Sequence, residues 1–131
     1  MLEKAEKTLA LSDLLEVMTA PYPLIDWSCP AALIIEERHA KVIALGIGEL
    51  ATNSMKYGTL SRNAAVQLDA GFTDGEICLI WHEANAARPQ QSDPSGGNGH
   101  LLIKRMAKVY AGSFAVDWTS AGLTATLRLP A

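Results

Sequence analysis

Between Ile47 and Ser61 the chain reads IGELATNSMKYGTLS, and three side chains of complementary chemistry recur there at helical spacing. Glu49, Asn53 and Lys56 stand at i, i+4 and i+7, so a helix turning 100° per residue sets them on one narrow polar stripe. A carboxylate and an amide oxygen suit a hard divalent cation, and an ammonium suits phosphate oxygens, so the trio can hold a metal and a phosphate together. Ile43, Ile47, Leu50 and Tyr57 make an apolar stripe on another side, and Gly58, just past the last turn, stops the helix. Spacing alone also describes an ordinary amphipathic helix whose polar side is solvated.

Two other groups carry candidate chemistry. Gly97, Asn98 and Gly99 directly precede a helical pattern, and glycines at a helix N-terminus let backbone N–H groups approach a phosphate while the helix dipole favours the anion. Trp81, His82 and Glu83 end a strand-like run. A carboxylate leaving a strand end for a cleft can accept a hydrogen bond from the exocyclic amine of adenine, which separates adenine from guanine. As isolated features, the glycines also fit a plain loop, Glu83 a solvated acid and His100 a surface residue.

These groups need elements to hold them. Residues 3 to 18 place Leu9, Leu11, Leu14, Leu15 and Met18 at mostly helical spacings, which predicts an amphipathic helix, with Ser12 and Asp13 as an alternative start. Tyr22 to Trp27 and Ala32 to Ile35, parted by Pro30, read as two strands or one broken edge strand. The helical period then runs from Glu37 to Tyr57. Ala64 to Phe72 and Glu76 to Glu83 form a hairpin around Thr73, Asp74 and Gly75. Residues 84 to 99, with two prolines and three glycines, predict a long loop. His100 to Ala111 follows as a helix capped by Gly112, and Ser113 to Thr119 and Leu123 to Leu129 close the chain as a hairpin turning at Ser120, Ala121 and Gly122. This order predicts an α+β fold, a two-layer sandwich with helices covering one face of a mixed sheet.

A chain of 131 residues, 49% hydrophobic with net charge -3, is one globular domain with a continuous core. Mild acidity and scattered basic residues argue against nucleic acid as a partner. The apolar runs are too short for direct membrane insertion and the start is unlike a secretory signal, which points to the cytoplasm. Cys29 and Cys78 lie far apart with no CxxC or neighbouring His, so they read as small buried hydrophobes, neither zinc ligands nor a disulfide.

The wording of the central stretch carries more than its spacing. Over thirteen residues, ELATNSMKYGTLS resembles the N box of the histidine-kinase-type (GHKL) ATPases of the Bergerat fold, in particular their HWE group. GNGHLLI from Gly97 resembles the G2 box, WHE at 81 to 83 resembles the W-x-E of the G1 box, and GLTATLRLP from Gly122 resembles the family's closing strand. The likeness covers roughly residues 14 to 130, with residues 1 to 20 as an N-terminal helix left from a dimerisation or phosphoacceptor hairpin and 21 to 131 as the catalytic domain. It implies the ATP-binding catalytic domain of a bacterial sensor histidine kinase in two-component signalling. Such a domain moves the γ-phosphoryl of ATP to a histidine on another domain or chain. Its partners would be a phosphoacceptor histidine domain and a response regulator, with a homodimer formed through an upstream or N-terminal helix.

On that resemblance ATP and Mg²⁺ are the cofactors and Asn53 holds the metal. Glu49 polarises the acceptor and Lys56 neutralises phosphate. Asn53, Tyr57, Glu83, Gly97, Gly99 and Thr124 contact the nucleotide, Thr124 as a hydroxyl beneath the adenine. Three departures stand out. Gly48 replaces the His that gives the HWE group its first letter; Asn85, Ala86, Ala87, Arg88 and Pro89 replace a Gly pair and Pro; and no His precedes residue 20. They leave two alternatives open: a degenerate scaffold of the same fold that docks partners without ATP, and an anti-sigma-type serine kinase.

Overall fold

A computed structural model describes residues 7–84 and 97–131, and its first segment corrects the expected helix over residues 3 to 18. Thr8–Ala10 is a strand, β1, and helix α1 runs only from Leu11 to Thr19, near the second start that Ser12 and Asp13 suggested. Neither of those residues caps it; Ala10 is the N-cap and makes no side-chain hydrogen bond to the helix. Leu11 and Leu15 are wholly buried in the same core as the rest of the domain. The apolar run around Leu9 is explained by strand pairing as well as by helical burial.

Ile25–Ser28 (β2) and Ile34–Glu36 (β3) are two strands, and they belong to different sheets. β3 pairs antiparallel with β1 in a two-stranded ribbon. Helix α2 then spans Glu37–Tyr57, as its period predicts. Its start is fixed by a reciprocal capping box: the Glu36 side chain accepts from the His39 N–H, and the Glu36 N–H donates to His39 Nδ1 at 3.2 Å. Because Nδ1 accepts, the ring proton sits on Nε2, which donates to the Pro130 carbonyl at 2.9 Å. His39 is therefore a buried tie between the helix start and the far end of the chain.

After α2 a 3-10 turn covers Thr59–Arg62, an element the sequence reading passed over. Val66–Thr73 (β4) and Glu76–Ala84 (β5) form the expected hairpin, tightened to a two-residue turn. Asp74 and Gly75 both have positive φ (54° and 76°), the conformation that makes Asp-Gly a strong hairpin signal. Helix α3 covers Gly97–Val109, so it begins at the glycines and not after them. The left-handed residue beyond it is Ala111 (φ 60°), while Gly112 donates its N–H to the Ala107 carbonyl. Ser113–Thr119 (β6) and Gly122–Pro130 (β7) make the closing hairpin.

The five-stranded sheet has the order β2-β4-β5-β7-β6, with β2 parallel to β4 and the remaining pairs antiparallel. Along β5 and β7 burial alternates, so one sheet face meets the helices while the other is more open. The buried side of α2, with Val42, Ile43, Gly46, Ile47, Leu50 and Ala51, is part of the core that also holds Leu68, Leu79, Trp81 and Leu127. A small apolar cavity of about 20 Å³ between α2 and the sheet is lined by Gly46, Ile47, Leu50, Trp81, Phe114 and Leu127, among others. The two-layer α+β sandwich expected from the element order is thus the one observed, with α2 as its spine.

Candidate functional site

At the C-terminal half of α2 the helix period separates a polar ridge from the buried face. Glu49 and Asn53 are half-buried, and Lys56 is exposed with no ion pair among the described residues. Tyr57 corrects the reading that placed it on the apolar stripe. It is 46% exposed and its hydroxyl donates to Asn53 Oδ1 at 3.1 Å, so the i, i+4 relation to Asn53 decides its company. Asn53 is also the point where α2 meets α3, with its Nδ2 3.3 Å from His100 Nε2. With Oδ1 accepting from Tyr57, the amide nitrogen donates to the imidazole, which is then neutral with its proton on Nδ1.

The His100 ring lies in the first turn of α3, edge-on to Phe114 with centroids 5.8 Å apart. Burial lowers its pKa from the ordinary value, and the nearby Glu49 carboxylate opposes that shift. In ¹H–¹⁵N NMR the imidazole is expected to titrate below about 6.5, and Glu49→Gln is expected to lower it further. An ordinary or higher value would show a solvated ring. The sign follows from linkage: the folded state binds this proton less readily than the unfolded chain. The stability it contributes is complete above about pH 6.5 and declines as the pH falls from there toward the lowered pKa.

Behind the ridge, Glu83 is 2% exposed. Its Oε1 accepts from the Ser54 hydroxyl at 2.7 Å and from the Thr59 N–H at 2.9 Å, and its Oε2 accepts from Trp81 Nε1 at 2.8 Å. Ser54 Oγ in turn accepts from the Leu60 N–H at 2.9 Å, so the carboxylate and the hydroxyl together satisfy the backbone where α2 gives way to the 3-10 turn. Gly58 is required by this closeness. A Cβ there would lie 2.6 Å from Glu83 Oε1 and 2.8 Å from Ser54 Cα, although its φ of -109° is one any residue adopts. The helix stop predicted from Gly58 is therefore observed for a different reason, contact in place of left-handed geometry.

The predicted residues do not all converge. Thr124 is placed on the sheet face away from Glu83. Glu83 stands opposite Leu123 in the β5–β7 register, and both are buried on the helix-facing side. Thr124 stands opposite His82 on the other face, and its Oγ1 is 3.1 Å from His82 Nδ1. Counting strand parity back from Pro130 would have revealed this. Gly97 and Gly99 belong to the first turn of α3; most of the predicted loop, residues 85–96, lies outside the described residues. Gly48 has open space at its Cβ position. Cys29 and Cys78 are half-buried and unpaired, less enclosed than expected, and burial raises the Cys29 thiol pKa. Sequence reasoning passed over Ser54 and Thr59, and only their place beside Glu83 in space brings them into the group.

No protein-family model matches the chain. Among solved structures, the histidine kinase domain of the Erythrobacter litoralis EL346 blue-light-activated histidine kinase superposes with TM-score 0.72 at 16% identity, covering 99% of this chain and 70% of that one. The ATP binding domain of PrrB from Mycobacterium tuberculosis gives TM-score 0.70 at 18% identity, with 97% and 98% covered. The catalytic domain of histidine kinase ThkA gives 0.74 at 12%, with 97% and 96% covered. The fold is that of histidine kinase catalytic domains. In sequence, the chain is 33% identical over 136 residues to blue-light-activated histidine kinase 1 of Erythrobacter litoralis (strain HTCC2594), an alignment covering 98% of this chain and 38% of that kinase's length. The chain is thus related in sequence to a part of that kinase, and spans well under half of its length.

Proposed function

We propose that this domain binds ATP with a divalent cation and presents the γ-phosphoryl group to a histidine on another domain or chain, as in two-component signalling. The observation that carries this reading is the ridge of Glu49, Asn53 and Lys56, set beside the first turn of α3 in a domain with the histidine kinase fold. The chemistry of two buried groups supports this reading. Glu83 has three donors where a carboxylate offers about four acceptor sites, so Oε2 keeps one unused acceptor position, which an adenine amine would reach only through an opening beside this 2% exposed group. Thr59 Oγ1 is a buried hydroxyl with no partner among the described residues, an unmet hydrogen bond beside that same carboxylate.

A bound divalent ion supplies charge neutralisation on the phosphate oxygens. The chain's own groups position and stabilise. The Asn53 amide oxygen would face the cation once released from Tyr57, and the Lys56 ammonium, exposed on the same ridge, would meet phosphate charge. Backbone N–H groups at Gly97 and Gly99 open α3 and would face the same charge. Glu49 would accept or orient the proton of the acceptor imidazole. A phosphoacceptor histidine domain and a response regulator are the partners this reading requires.

Isothermal titration of the chain with ATP and Mg²⁺ tests it. Heat of binding is expected in the unsubstituted chain, and Asn53→Ala is expected to weaken affinity at least about 30-fold, as removal of a metal-holding group does. The scaffold alternative is favoured by one observation, that both ends of the Asn53 amide already have partners within the protein. No heat at millimolar ATP would decide for it. Acid lability of labelled phosphate on candidate acceptors separates a histidine target from a serine one.

A further inference from the structure

The two outer helices of the helix layer carry exposed faces of opposite charge. α1 packs on β2 at one edge of the five-stranded sheet, α3 packs on β6 at the other edge, and both touch α2, which therefore lies between them. α1 buries Leu11, Leu15 and Thr19, turns Asp13, Glu16 and Val17 outward, and holds no basic residue. α3 buries Ile103 and Ala107, turns Lys104, Arg105, Lys108 and Val109 outward, and holds no acidic one. Val17 and Val109 are each 70% exposed, so both faces join an uncovered aliphatic group to charge of a single sign. None of these five charged groups has an ion pair among the described residues. At the start of α2, by contrast, charges are matched within the chain, Lys41 with Glu37 and Arg38 with Glu36. Farther along α2, Ala44, Gly48 and Thr52 fall at i, i+4 and i+8, and a Cβ at Gly48 would meet only open space. This row of small residues raises no barrier between the two charged flanks.

We infer that the outward surface of the helix layer is a self-association surface, and that its occupant is a second copy of this chain. A two-fold axis running along α2 exchanges the two sides of the layer, so the copy sets its α3 on α1 and its α1 on α3. Acidic face then meets basic face twice in one dimer. The match favours a second copy because both halves of it are carried by one chain, on opposite flanks of one layer. Both faces are used in the pair, so the assembly closes at two. It draws on no segment ahead of α1, and it does not depend on nucleotide binding. The helices are short, about 14 Å for the 9 residues of α1 and about 20 Å for the 13 of α3. The covered area is therefore at the low end for specific interfaces, about 1,200 Å² in total, and the dimer forms at roughly tens of micromolar.

Sedimentation velocity of the full chain from about 5 to about 500 µM reads the assembly directly. A monomer–dimer equilibrium with nothing larger is expected, weakened at least about fivefold when NaCl is raised from about 0.05 to about 0.5 M. Asp13→Lys with Glu16→Lys makes both faces basic, and Arg105→Glu with Lys108→Glu makes both acidic. Each reversed chain alone is expected to lose at least about tenfold in dimer affinity, while an equimolar mixture of the two forms a heterodimer. Gly48→Arg tests the axis itself, because a residue on that stripe faces its own copy and two guanidinium groups would meet there. It too is expected to weaken the dimer at least about tenfold. The four charged positions are exposed and Gly48 borders open space, so thermal unfolding of every variant is expected to match that of the unsubstituted chain. A monomer throughout, which would leave these faces to a different protein, overturns the inference. So does a dimer indifferent to the reversals or to Gly48→Arg, a mixture without heterodimer, or growth beyond two copies.

Discussion

Glu83→Ala is expected to lower the stability of the domain by about 4 kcal/mol, a large share of the roughly 5–15 kcal/mol typical of a folded domain. The substitution leaves the Thr59 N–H and Trp81 Nε1–H without their acceptor, in a place where Glu83 itself is only 2% exposed. Each buried donor left unsatisfied costs about 1–3 kcal/mol. The Ser54 hydroxyl also loses the group it donates to, while still accepting from Leu60. Glu83→Gln keeps the volume and one acceptor oxygen but turns an N–H toward one of the three donors, so an intermediate loss of about 2 kcal/mol is expected. Urea unfolding followed by Trp fluorescence reads both values. A loss below about 1 kcal/mol for the alanine variant would show that the carboxylate does not brace the end of α2.

Gly58→Ala should rank next, at about 3 kcal/mol or more, through steric overlap alone. The added methyl would stand 2.6 Å from the carboxylate oxygen and 2.8 Å from the backbone of Ser54. The carboxylate cannot retreat without surrendering its donors, and the Ser54 Cα is held by the helix. Overpacking of this kind typically costs 1–3 kcal/mol even where side chains can move, and here the nearest atoms are pinned. The double variant distinguishes the mechanism. If the clash with Glu83 dominates, Gly58→Ala should cost clearly less in a Glu83→Ala background, whereas equal and additive losses would place the damage elsewhere.

These two positions also show which parts of the molecule were legible in the residues. α2 was readable along its whole length because its apolar period persists for nearly six turns and Gly58 stops it. The hairpins were readable because Asp74-Gly75 and Gly122 mark turns between alternating strands. What was hidden depends on contacts distant in sequence. Nothing near Leu9 announces that Thr8–Ala10 will pair with Ile34–Glu36. Which of Leu123 and Thr124 shares a face with Glu83 is set by the β5–β7 register, because one step along a strand moves a side chain to the opposite face. The resemblance marked Glu83 as a ligand contact, but its three donors come from Ser54, Thr59 and Trp81, two of them more than twenty residues away. Helix period and turn chemistry are local, and the satisfaction of a buried carboxylate is not.

The His39 bond to the Pro130 carbonyl and the pairing of Thr8 with Glu36 moor both described extremities at the first turn of α2. The helix has 21 residues, so its other end, where Asn53 and Glu83 gather, is about 30 Å away. Loads applied at Thr8 or at Pro130 would thus both pull on the same end of the rod, the end away from Asn53 and Glu83.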